Sequence, residues 1–298
     1  MREDIRKIQE MMEAAEYVTD APVATSVHLA MRLHKPLLIE GPAGVGKTEV
    51  AKVMARMLGT NLIRLQCYEG LDVSTALYEW NYQKQLLHIK LEEAGHNNRA
   101  MSDKEHEIFS EPFLLRRPLL QALTQESQAP VLLVDETDRA DEEFEAFMLE
   151  VFSDWQVTIP EIGTIKATHP PHVILTSNRT RELSDALRRR CLYLWIDYPS
   201  PDKELRIIAR KVPGINQRLA REIAKFMETL RQVRLAKVPG VAETLDWAQA
   251  LASLHADHID EMLVAETLGC VLKDVDDMKR FRAEVAKAGL ATFLPAAS

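Results

Sequence analysis

The sequence predicts an α/β protein: a mostly parallel sheet flanked by helices, followed by a smaller all-helical domain. Three observations predict it. Five short apolar runs alternate with stretches of helical periodicity, the pattern of strands and crossover helices around a buried sheet. A glycine-rich segment, residues 41–48, joins the first run to an amphipathic helix. Beyond Pro199-Ser200-Pro201 the strand signal stops and only helical spacing remains.

The elements follow in order. Residues 1–35 are amphipathic and helical and lead into the first strand, Pro36-Leu37-Leu38-Ile39-Glu40. Val50, Ala51, Val53, Met54, Met57 and Leu58 then recur at helical spacing, and Gly59 stands where a helix C-terminus favours glycine. Residues 61–67 form the second strand. Residues 130–136 form the third, an apolar run suited to burial on both faces. Residues 172–178 and 191–197 supply the fourth and fifth. Residues 68–95 are an insertion carrying Tyr68, Tyr78, Trp80 and Tyr82, read either as a partner contact or as packed structure. Residues 156–167 read as a hairpin turning near Glu161–Gly163. Further on, Leu205, Ile208 and Ala209, then Leu219, Ile223, Phe226, Met227 and Leu230, mark helices, with Pro239-Gly240 between two of them. The expected division is a core over 1–200 and a helical domain over 201–298.

The 298 residues are 46 % hydrophobic and 28 % charged, an ordinary balance for a globular protein of one large domain or a core plus a smaller one. No apolar run approaches the ~18 residues of a membrane span. Met1 to Lys7 mix charges without a following apolar stretch, so no signal peptide is expected. Cys67, Cys191 and Cys270 are few and far apart and read as reduced core residues in the cytoplasm. The formal charge of −8 argues against a protein whose main task is gripping a nucleic-acid backbone.

The chemistry concentrates in four places. Gly41-Pro42-Ala43-Gly44-Val45-Gly46-Lys47-Thr48 fits G-x-x-x-x-G-K-[ST]. Its glycines let backbone N–H groups curl around a phosphate, Lys47 supplies positive charge, and Thr48 offers a hydroxyl to Mg²⁺. The helix that follows, beginning with Glu49, aims its positive end at the anion. Asp135-Glu136 ends an apolar strand at the sheet's carboxyl edge, where one acid can hold Mg²⁺ through water and the next can polarise an attacking water. Asn178 ends the fourth strand and can orient that water, or simply form a turn. Arg188-Arg189-Arg190 precedes the fifth strand. One of these cations can reach a γ-phosphate, or the three form a solvated basic helix end. Arg116 and Arg117 precede Pro118 and read as a helix start. His255-Ala256-Asp257-His258 lacks the further ligands that a metal site requires.

Taken together, the phosphate loop, Asp135-Glu136, Ser177-Asn178, the late arginines and the helical lid resemble the AAA+ ATPases. The insertion and the hairpin are similar to the branch with a helix-two insert and a pre-sensor hairpin, and within it to the MoxR-like ATPases. Gln66-Cys67-Tyr68-Glu69-Gly70-Leu71-Asp72, Leu77-Tyr78-Glu79-Trp80-Asn81-Tyr82, the run from Asp185 to Cys191 and Ala242-Glu243-Thr244-Leu245-Asp246-Trp247 most resemble the CoxD-type group, associated with maturation of molybdenum carbon monoxide dehydrogenase. The resemblance implies a three-layer αβα core with strand order 5-1-4-3-2, a ring (usually a hexamer), ATP bound between subunits, and a partner with a von Willebrand factor A domain. It carries roles onto Lys47, Thr48, Asp135, Glu136 and Asn178, with Arg190 or its neighbour Arg189 as the arginine finger. One departure stands out: Pro239-Gly240-Val241-Ala242-Glu243 holds no arginine where many such lids carry one that senses the γ-phosphate.

The function expected is an ATP-hydrolysing remodelling chaperone acting on a metalloenzyme client. The alternatives are a nucleic-acid motor or loader on the same core, and a nucleotide-switched binding module with little turnover.

Overall fold

The computed structural model describes residues 2–94 and 106–295. Residue 95 of the expected insertion, Met1 and residues 296–298 of the expected helical domain lie outside them. By contacts the chain divides into two units that interleave along the sequence. One comprises Met1–Ile8, Ala21–Glu40 and Ala51–Leu194. The other comprises Gln9–Asp20, Gly41–Val50 and Trp195–Ser298.

The first unit is built on a sheet of β1 (Leu37–Glu40), β2 (Leu62–Gln66), β5 (Val131–Asp135), β8 (His172–Ser177) and β9 (Leu192–Trp195). The strands lie in the order β2-β5-β8-β1-β9. Counting only these five along the chain, that is 5-1-4-3-2 read from the β9 edge. The pairs β2–β5, β5–β8 and β8–β1 are parallel, with Gln66 opposite Asp135, Val134 opposite Leu175 and Glu40 opposite Ser177. Parallel strands end on the same side, so Glu40, Asp135 and Ser177 share one edge. β1 and β5 are buried along their whole length, as continuous apolar runs require. At the β2 edge burial alternates, with Ile63 and Leu65 inward and Leu62, Arg64 and Gln66 outward.

Three smaller features surround the sheet. β3 (Tyr78–Trp80) and β4 (Leu114–Arg116) form an antiparallel pair that the sequence reading did not anticipate. It packs half of the aromatic insertion: Trp80 is buried with Phe109 edge-on at 5.3 Å, while Tyr68 and Tyr82 stay exposed. β6 (Gln156–Ile159) and β7 (Gly163–Lys166) form the expected hairpin. Helix Glu142–Asp154 begins at Asp141, whose carboxylate accepts from Phe144 N–H at 2.8 Å, and buries Phe144, Met148, Val151 and Phe152.

The helical part of the second unit comprises Pro201–Lys211, Gln217–Leu230, Val241–Ser253, Glu261–Val271 and Val275–Ala288. Ser200, Asn216, Asp260 and Asp274 cap four of these. Phe226 sits at the centre, 4.7 Å from Trp247 and 5.6 Å from both Phe281 and Phe293, centroid to centroid. Leu205, Ile208 and Ala209 fall in one helix as the spacing predicts, but not all of them face inward. Ala209 is exposed, because Pro201–Lys211 turns Glu204 and Ile208 inward instead. The buried acid at 204 has a partner described below.

Within the described residues no helix is long and apolar enough to cross a membrane. Phe226 is fully buried among three other aromatic rings. Phe226→Ala should therefore destabilise the helical unit by about 3–5 kcal/mol in urea unfolding followed by tryptophan fluorescence. A loss below about 1 kcal/mol would show that this cluster is not the unit's core.

Candidate functional site

The phosphate loop belongs to the second unit. It begins one peptide bond after Glu40, the last residue of β1, and ends as helix Lys47–Leu58 starts. Gly44 takes φ +75°, in the left-handed region open mainly to glycine. Lys47 is buried, and its Nζ donates to the carbonyls of Gly41 at 2.8 Å and Pro42 at 2.6 Å. Its ammonium therefore lies inside the curl of its own loop. A cation so placed at the start of a helix suits a phosphate group. Glu49, one residue past Thr48, stands 4.0 Å from Lys211. The phenol of Tyr17 is pushed up by burial first and then by the charges of Asp20 and Glu49.

The same unit brings residues 239–244 to the loop. Gly44 O accepts from Val241 N at 2.9 Å and Ala242 N at 3.3 Å. Arg231 lies beside this segment, its side chain only 7 % exposed. Its guanidinium grips Glu204 with two bonds, at 2.6 and 2.7 Å, and its Nε donates to Pro239 O at 2.9 Å.

The acidic residues belong to the first unit. Asp135 is buried at the end of β5, and its partners include Thr176 Oγ1 on Oδ1 and Arg64 Nη2 on Oδ2, each at 2.5 Å. The Thr176 hydroxyl, donating to Asp135, also accepts from Glu136 N at 2.9 Å. Glu136 itself takes φ +54°, a left-handed conformation that costs a non-glycine residue about 1–3 kcal/mol. Its carboxylate is partly exposed, with Gln66 Nε2 at 3.2 Å and Arg139 Nε at 3.0 Å. Such strain persists only where surrounding bonds enforce it, and it gathers at functional sites.

The turn after β5 is tied to the loop after β8. Asp138, buried, accepts on Oδ2 from Asn178 N at 3.2 Å, Thr180 N at 2.8 Å and Thr180 Oγ1 at 2.7 Å. Asn178 is thereby fixed by its backbone to the segment that carries Glu136. Asp138, Thr176 and Arg64 are site residues that the sequence reading missed. Thr176 was hidden in an apolar strand, and only strand register reveals it. Asp138 could have been suspected as a third acid within four positions of Asp135.

The three arginines separate clearly. Arg188 lies over the ring of Tyr193 at 5.8 Å. Arg190 donates to Leu149 O at 2.8 Å and to the Ser153 hydroxyl, closing the end of helix Glu142–Asp154. Arg189 is exposed, and its side chain has no partner among the described residues. His255, Asp257 and His258 form no three-ligand group among the described residues; His258 pairs with its neighbour Asp257 on the surface.

A parallel sheet with acids at its carboxyl edge, a phosphate-type loop after its first strand and a following helical region define the P-loop α/β fold of the AAA+ proteins. Residues 36–191 match the AAA domain (dynein-related subfamily), and the chain belongs to that family. An uncharacterized protein of Staphylococcus epidermidis is 25 % identical over 228 residues, covering 74 % of this chain and 78 % of its own length. An uncharacterized protein of Staphylococcus aureus is 25 % identical over 243 residues, covering 79 % and 82 %. Among solved structures, a point mutant of Thermotoga maritima RuvB aligns over 95 % of this chain and 75 % of its own, with a TM-score of 0.50 and 18 % identity. That likeness is one of fold.

Burial, with the charges of Asp135, Asp138 and Glu136 adding to it, pushes the Cys67 thiol up to about 12. Burial does the same at Cys191, to about 12. A raised thiol pKa means less thiolate at any pH below it. Both should therefore resist iodoacetamide in the native protein at pH 8 and react once it is unfolded, as peptide mass spectrometry reads out. Alkylation of native Cys67 at the rate of a free thiol would contradict the buried site.

Proposed function

We propose that the protein is a Mg²⁺-dependent ATPase that works as a ring and remodels a protein client. The observation that carries this reading is the edge of the first unit: a buried Asp135, a strained Glu136 and an Asn178 tied to them through Asp138. A pure binding module has no need of a carboxylate held in a costly conformation next to a buried one.

In this reading the loop Gly41, Pro42, Ala43, Gly44, Val45, Gly46 cradles the phosphates of ATP, and Lys47 neutralises them. Thr48 and Asp135 would hold Mg²⁺, which would supply positive charge to the phosphates. Glu136 takes the proton of the attacking water, Asn178 orients that water, and an arginine from the next subunit stabilises charge on the γ-phosphate. Arg189 is the better finger, because Arg190 already holds helix Glu142–Asp154. The core over 1–200 and lid over 201–298 are kept as the working division.

AAA+ proteins commonly assemble as rings, which supports an oligomer. The finer reading places the chain with the MoxR-like ATPases, as a hexamer in the cytoplasm with a von Willebrand factor A partner and a metalloenzyme client of the molybdenum carbon monoxide dehydrogenase type. Its support is the likeness of the segments at 66–72, 77–82, 185–191 and 242–247.

Phosphate release by purified protein tests this. Glu136→Gln and Arg189→Ala should each lower turnover by about a thousandfold or more, and mixing the two should restore part of it. Arg190→Ala should act mainly on stability. Turnover by Arg189→Ala within a few-fold of wild type, with no gain on mixing, would remove the finger. Wild-type turnover no faster than that of Glu136→Gln would remove the ATPase reading altogether.

A further inference from the structure

The start of helix Val241–Ser253 meets the phosphate loop backbone to backbone. Gly44 O is held by Val241 N and Ala242 N. The approach is possible only because residue 240 has no side chain. A Cβ on Gly240 would lie 2.7 Å from both the carbonyl carbon and the Cα of Gly44, and 2.8 Å from Ala43 O. These are backbone atoms of the loop and cannot swing aside as the end of a side chain does.

Two further sets of bonds keep Gly240 in place. In front, Glu243 Oε2 accepts from Gly240 N at 2.8 Å. Behind, Thr244 Oγ1 bonds Gly240 O at 3.0 Å and Glu204 Oε1 at 2.6 Å. Glu204 is in turn gripped by Arg231, whose Nε holds Pro239 O and whose guanidinium lies over the Tyr198 ring at 4.9 Å. A bidentate arginine–carboxylate pair is among the most directional contacts available to a protein.

We propose that Gly240 is a positioning residue for the phosphate loop, held against it by Glu243 in front and by the Arg231–Glu204–Thr244 network behind. The inference rests on the reading of residues 41–48 as the ATP phosphate loop. The peptide between Gly44 and Val45 is planar and trans, so anchoring Gly44 O also sets the direction of Val45 N–H. The helix thus orients a phosphate donor without placing a side chain at the phosphate. This differs in kind from an arginine that reaches the γ-phosphate. Such an arginine separates ATP from ADP, whereas a backbone clamp on the loop acts on both alike.

The test is equilibrium binding of the fluorescent nucleotides mant-ATP and mant-ADP to the full-length protein. Gly240→Ala should raise both dissociation constants by about tenfold or more, with their ratio kept within about threefold, since small misplacements of binding groups carry effects of that size. Gly269→Ala is the control. Its Cβ would meet only Met278 Cε at 4.0 Å, and it should bind as wild type does.

Glu243→Gln supplies the second variant, and it decides the matter if Gly240→Ala lacks the wild-type circular dichroism spectrum. Removing a negative charge beside the loop should by itself tighten the binding of an anion. Weaker binding of both nucleotides therefore supports positioning, and equal or tighter binding overturns it. Gly240→Ala that folds and binds within twofold of wild type, or that loses ATP alone, overturns it as well. If Lys47→Ala binds as tightly as wild type, the reading of the loop fails, and the proposal fails with it. If Lys47→Ala abolishes binding while Gly240→Ala does not weaken it, only the positioning role fails.

Discussion

A carboxylate taken out of water must be hydrogen-bonded or paired, or it will not stay ionised. Asp135, buried at the end of β5, is the residue whose needs organise its surroundings. Its two oxygens demand two donors, and the neighbouring strands supply them: Thr176 from β8 and Arg64 from β2. This works only in one register, because a slip of one residue would carry the hydroxyl and the guanidinium to the opposite face. The same Thr176 hydroxyl then catches Glu136 N–H and helps fix a left-handed residue where the strand ends. Asp138 extends the system to the loop after β8. One buried charge thereby ties together three adjacent strands and the turns that leave them.

The second unit applies the same logic to a buried cation. Lys47 satisfies its ammonium with carbonyls of its own loop. Arg231 satisfies its guanidinium with Glu204, and this pair explains why a helix of otherwise ordinary pattern turns an acid inward at 204 and leaves Ala209 outside. A buried pair of this kind contributes little net stability against an apolar substitute, but loss of one partner is costly. Its value here is direction, since it fixes the backbone of residues 239–244 against the phosphate loop. Residues 239–243 hold no arginine, and Arg231, one helix earlier, is turned inward to Glu204 and Pro239 O.

Much of this was legible in the sequence because the signals are local. β1 and β5 are continuous apolar runs and β2 alternates inward and outward residues, the phosphate loop is a fixed spacing, and Asp135-Glu136 ends a run that can only be buried. What escaped reading depends on partners far apart in the chain. β3 and β4 are three residues each, too short for alternation to register, and they pair across a long insertion. Thr176 reads as one more residue of an apolar strand until β5 is laid beside it. Glu204 looks like a solvated helix position until Arg231, 27 residues on, is found against it. Gly240 reads as an ordinary turn glycine, and only the approach of Gly44 shows why nothing larger fits. That Arg190 is engaged within the fold while its neighbour Arg189 is exposed likewise depends on a distant partner, the carbonyl of Leu149.

Under the proposed function, Asp135 is a holder of the Mg²⁺ that accompanies bound ATP. If so, Mg²⁺ and ATP must strengthen each other's binding through Asp135, and that coupling is reciprocal. The direct measurement is the ratio of ATP affinities with Mg²⁺ and with EDTA, by isothermal titration, for wild type and Asp135→Asn. The account predicts that Mg²⁺ tightens ATP binding to wild type and that the substitution removes most of the gain. An equal Mg²⁺ enhancement in both proteins would contradict it.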